Sequence, residues 1–81
     1  MTGECFKHIR TRSGYSADEF VEYLEKEKGI ERTSRAVYWW EDREKVPERY
    51  VDALRAFIGK QTFEKLEQEY HQENPERTVP E

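Results

Sequence analysis

Only one cysteine, Cys5, occurs in 81 residues, so no internal disulfide can brace the chain and a bridge-stapled mini-domain is excluded. Glycine is scarce too: Gly3, Gly14, Gly29 and Gly59 stand apart, and no glycine-rich loop is present to cradle a phosphate. No apolar run approaches the ~20 residues of a membrane span, and the N-terminus has no hydrophobic stretch of the signal-peptide kind. No membrane association and a cytoplasmic location are therefore expected. Histidine is limited to His8 and His71; Cys5 and His8, three apart, would give half a metal site at most. A nucleophile such as Cys5 or Ser16 would need an orienting base within about 3 Å, and nothing local supplies one. The expectation is no enzyme, no cofactor and no metal.

Charge and aromatic rings are what the chain has in quantity. Charged residues make up 40% and hydrophobic residues 35%, a balance close to that of disordered chains. Two Trp, five Tyr and four Phe, regularly placed, supply the large rigid units from which a small core is built. The formal net charge of -4 disfavours a polyanionic partner, because each phosphate contact calls for a cation. Its distribution qualifies that objection. Residues 1–15 carry three cations against one anion, 16–29 two against five, 30–50 five of each, and 51–81 four against seven. A partner meets one face of a protein, not its average.

Apolar spacing predicts four to five short helices and no strands, an all-α bundle. Phe6 and Ile9 mark a first helix over Cys5 to Arg12, behind a frayed Met1 to Glu4, with Ser13-Gly14 ending it. Ser16 then has the position of an N-cap, Glu19 of its capping-box partner, and Tyr15 and Phe20 of a hydrophobic staple. Phe20, Val21 and Leu24 form the apolar face of this second helix, and Lys26 to Gly29 read as a fraying end and turn. A third helix starts near Thr33 or Ser34 and runs to about Arg43, burying Ala36, Val37 and Trp40. Trp39 lies about 100 degrees from Trp40 on that cylinder, so one face cannot bury both. Pro47 or Glu48 opens a fourth helix with Tyr50, Val51, Leu54, Phe57 and Ile58 inward and Gly59 past its end. Thr62, Phe63, Leu66 and Tyr70 predict a fifth. The expected organisation is one helical domain over 1–73, a C-terminal helix at about 61–71, and a flexible tail at 74–81.

The stretch His8 to Leu54 resembles the helix-turn-helix domains of the Cro and phage-repressor type, also called the xenobiotic-response-element class. The likeness is carried by Ile9-Arg10, Gly14-Tyr15-Ser16, the helix Ala17 to Leu24, the run Ser34 to Glu41, and Pro47 ahead of Tyr50 to Leu54. It implies a compact lambda-repressor-like bundle with the helix-turn-helix at about 16–43, and Arg10 paired with Glu41 to tie the first helix to the third. The function it implies is sequence-specific binding of double-stranded DNA by a small transcriptional regulator, repressor or activator, as in phage or mobile-element regulators. The third helix would enter the major groove and offer Thr33, Ser34, Arg35 and Tyr38 to base edges, while Lys7, Arg12, Arg32, Arg43, Lys45 and Arg49 would meet phosphates. Tyr38 or Trp39 would also suit stacking on a sugar or a methyl group. Such units work as twofold dimers, and Phe63, Leu66 and Tyr70 give a candidate homodimer stripe, with capping of the domain's own core as the alternative.

Two departures from the pattern stand out. Glu25 to Glu31 lengthen the normally tight turn between the second and third helices, which calls either for a longer second helix or for a recognition helix presented differently, and Ala17 occupies the place after the Ser cap where the family often has glutamine. The alternative function is a protein-interaction module on the same fold, of the antitoxin, phage-encoded inhibitor or acidic DNA-mimic kind. The net charge and the acidic second helix favour it.

Overall fold

The computed structural model describes residues 1–73, and the tail expected to be flexible, 74–81, lies outside the described residues. Five helices follow one another: α1 (Gly3–Arg12), α2 (Ala17–Lys28), α3 (Ser34–Glu41), α4 (Glu48–Ile58) and α5 (Lys60–Glu73). No strand occurs among the described residues, and the chain is an all-α bundle. Phe6, Ile9, Phe20, Leu24, Val37, Val46, Leu54 and Phe63 are fully buried, so every helix and the α3–α4 loop feed one core.

The N-terminus departs from expectation. Met1 to Glu4 are not frayed: Thr2 caps α1 by accepting from the Cys5 amide, and the helix starts at Gly3. The amide of Gly3 donates to the Arg43 carbonyl at 2.8 Å, and the amide of Val46 donates to the Met1 carbonyl at 2.9 Å. These bonds fasten the start of α1 to the connection that follows α3, and the Arg43 carbonyl satisfies one of the amides that the first turn of α1 leaves without a partner. They also account for the early close of α3 at Glu41 rather than near Arg43, since the chain there turns to meet α1. The approach is too close for a side chain. A Cβ on Gly3 would lie 2.5 Å from the carbonyl oxygens of Glu41 and Arg43.

The capping box of α2 is complete, with Ser16 Oγ accepting from the Glu19 amide and Glu19 Oε1 accepting from the Ser16 amide. The staple is less direct than the spacing suggests, because Tyr15 packs on Phe57 and the Phe57 ring in turn meets Phe20. Lys26 to Lys28, expected to fray, are helical, and α2 closes on Gly29 at a φ of 66°, where the Ile30 amide reaches back to the Leu24 carbonyl. Much of the extra sequence between the second and third helices is therefore a longer α2, and a five-residue connection, Gly29 to Thr33, leads into α3.

Trp40 stacks on Tyr50 with ring centroids 3.8 Å apart, joining α3 to α4. Gly59 alone separates α4 from α5; its φ of 97° lets the chain turn a corner no other residue takes without strain. α5 then lies against α1 and α4. Of the two readings of the C-terminal stripe, exposed for dimerisation or capping the chain's own core, the fold takes the second: Phe63, Leu66 and Tyr70 are 0%, 8% and 4% exposed.

Candidate nucleic-acid interface

α3 is held from behind by α1 and α2. Positions 36, 37, 40 and 41 fall on one side of its cylinder, and Val37, Trp40 and Glu41 are buried there with Ala36 half-buried. Glu41 would be a costly residue to bury unpaired. Arg10 supplies the partner: Nε donates to Glu41 Oε2 at 2.6 Å, and a second guanidinium nitrogen donates to Oε1 at 3.2 Å. The remaining nitrogen donates to the Tyr15 carbonyl at 2.9 Å, so one side chain ties together α1, the turn before α2, and the last residue of α3. This is fork-to-fork geometry, in which the direction of both partners is set along with their distance.

The opposite side of α3 faces outward with Arg35, Tyr38, Trp39 and the capping residue Asp42 at spacings of three and four. Tyr38 and Trp39 are 53% and 56% exposed, the only large hydrophobic side chains so open among the described residues. Arg35 is exposed, and no ion pair or hydrogen bond of its side chain occurs among the described residues. Thr33, at the N-cap position, makes no side-chain capping bond and is exposed, whereas Ser34 is half-buried. Three of the four expected base-reading residues thus project from one end and one face of α3.

The expected phosphate-binding residues are more scattered. Arg32 is exposed just before α3 and donates to the Glu31 carbonyl. Arg43 lies over the Trp39 ring, 3.7 Å from its centroid, which extends the outward face of α3 with a cation. Lys7 and Arg43 also border an open groove of about 670 Å³, together with Glu4, Glu41, Asp42 and Glu44. Two cations there face four carboxylates, one of them already bonded to Arg10, so this groove is no phosphate channel. Lys45 borders a smaller hollow with Glu44 and Glu67. Arg49 stacks on and hydrogen-bonds Tyr50, and Arg12 reaches Glu73 at 3.4 Å, where α1 and α5 end.

Trp39, which the sequence offered only as an alternative stacking residue, stands on the outward face beside Tyr38. Its signal was present in the pairing Trp39-Trp40, since adjacent helical positions cannot share one buried face. The groove beside α3 contains one more polar link, from Tyr70 Oη to Glu4 at 2.7 Å. Burial, and then the bond to the Glu4 carboxylate, push the Tyr70 hydroxyl pKa up. Cys5, lining the adjacent hollow, is pushed up to about 12, first by burial and then by the charge of Glu67, which favours the neutral thiol. Among the described residues no three of His, Cys, Asp and Glu gather into a metal-binding group, and no helix is long and apolar enough to cross a membrane. No family model, no curated protein and no solved structure matches this chain.

Proposed function

We propose that the chain binds double-stranded DNA in a sequence-dependent way, with α3 laid in the major groove, as a small regulator of transcription. The observation that carries this reading is the division of α3 into an anchored side and an outward face that presents Arg35 beside Tyr38 and Trp39. A helix with side chains is about 10–12 Å across and the major groove about 12 Å wide, so such a face can be seated against base edges. Arg35 has the fork that matches the two acceptors of guanine, and Thr33 and Tyr38 flank it. Arg32 and Arg43, beyond the two ends of α3, suit phosphates. Specificity of useful length calls for two copies on successive grooves. That pairing would use a surface other than Phe63, Leu66 and Tyr70, which the chain's own core occupies.

The test is selection of bound duplexes from a random pool at about 0.15 M salt, repeated with Arg35→Ala. A consensus is expected, and Arg35→Ala is expected to weaken it by about 1–3 kcal/mol and to lose preference at one base position. Arg43→Ala is expected to weaken all duplexes alike. The reading fails if no sequence is enriched, or if Arg35→Ala enriches the same sequences with the same affinity. One observation favours a second reading, a protein partner: the groove next to α3 has more carboxylates than cations. Absence of any enriched duplex, with binding of a basic protein in that groove, would support it.

A further inference from the structure

On the flank formed by α2 and α4, three half-buried aromatic rings come together at the edge of the core, against which Tyr23 and Phe57 pack. Phe57 of α4 has Tyr15 at a centroid distance of 4.4 Å and Tyr23 at 4.6 Å, with the ring planes inclined by 44° and 35°. Neither pair is parallel, so the rings make a faceted wall rather than a closed stack. They border a hollow of about 260 Å³ open to solvent. Its other lining residues are Glu19, Glu22 and Glu27, against the single cation Lys26.

The carboxylates differ in how far they are committed. Glu19 is held in place, because one of its oxygens accepts from the Ser16 amide in the capping box. Glu22 meets Lys26 only at 3.8 Å, with both side chains about 70% exposed, a pair of the kind that contributes little and yields to a competitor. The hollow thus joins aromatic rings to excess negative charge. That pairing of features attracts a cation, through ring quadrupole and carboxylate together. A guanidinium suits it better than an ammonium, since the plane lies on a ring while its edge forks a carboxylate.

We propose that the hollow between α2 and α4, walled by Tyr15, Tyr23 and Phe57 and edged by Glu19, Glu22 and Glu27, is a binding site for an arginine side chain presented by a partner protein. It shares no residue with the outward face of α3. The proposal does not depend on the DNA reading.

The test is a titration of the folded chain, followed through the aromatic NMR signals, with Nα-acetyl-arginine amide, Nα-acetyl-lysine amide and Nα-acetyl-norleucine amide. A single side chain is expected to bind in the millimolar range. Arginine should shift Tyr15, Tyr23 and Phe57 saturably, lysine more weakly and norleucine least, with the Trp39 signals unmoved. The exposed double variant Glu22→Gln, Glu27→Gln should raise the Kd for arginine by about three- to tenfold, and Tyr23→Leu should do the same. Unchanged thermal melting of the double variant establishes that it is folded. The proposal is overturned if norleucine or lysine matches arginine, if no saturable shift develops, or if the glutamine variant binds arginine as well as the parent.

Discussion

At the residue scale two positions hold α3 in place, and they differ in how visible they are in the sequence. The Arg10–Glu41 pair follows from the helix-turn-helix resemblance, because a cation and an acid thirty-one residues apart announce nothing by spacing alone. Both side chains are nearly sealed from water, at 7% and 3% exposure, so removing one partner leaves a buried charge. Arg10→Met is therefore expected to cost about 3–5 kcal/mol, measured by urea unfolding, and adding Glu41→Leu in the same chain should restore most of the loss. Equal losses in the single and double variants would show that the pair's burial is not what matters. Gly3 had no signal at all. Its need for a bare Cα comes from carbonyls of Glu41 and Arg43 that reach it across the fold, and only coordinates reveal such a neighbour. Gly3→Ala should destabilise by about 1–3 kcal/mol despite improving local helix propensity, a sign opposite to that expected from the sequence.

At the element scale the helices were legible where a local rule operates. Ser16 and Glu19 name the start of α2 because the cap is made within three residues. The ends were harder, since each depends on a neighbour: α3 stops at Glu41 where it meets α1, and α2 continues past Leu24 to a left-handed Gly29. The lysines and glutamates of Glu25 to Lys28 carry no apolar period, and periodicity alone therefore missed a turn of helix that is solvated. If Gly29 closes α2 as described, Gly29→Ala should cost about 1 kcal/mol and Ser16→Ala a similar amount, each lowering the melting temperature followed by circular dichroism by about 4–8 °C. The fifth helix shows a different limit. A stripe of Phe63, Leu66 and Tyr70 reads the same whether it faces a partner or its own domain, and the choice is made by α1 and α4, against which it packs.

At the scale of the whole molecule the charge pattern, read as segments, becomes three surfaces: the outward face of α3, the acidic groove beside it that shares Asp42 and Arg43 with it, and the ring-walled hollow on α2 and α4. The buried acids at the α1–α5 contact set the response to pH. Cys5 is raised from 9.0 to about 12, and Tyr70 is raised as well, so the unfolded chain releases these protons first. Their contribution is fully present below pH 9 and is lost as pH rises through the folded values. Stability should thus fall above pH 9, by at most about 1.4 kcal/mol per pH unit for the thiol, and Cys5→Ala should flatten that slope.

The claim on which the functional account rests is that α3 meets its partner with its outward face while its inner face stays in the core. The two indoles lie on opposite sides of that division, with Trp39 56% and Trp40 4% exposed, and they are expected to give two separate N–H signals in a nitrogen-15 NMR spectrum. Addition of the selected duplex is expected to move or broaden the Trp39 signal and leave that of Trp40 in place. A saturated complex in which Trp39 does not respond, or in which Trp40 shifts as far, would contradict the account.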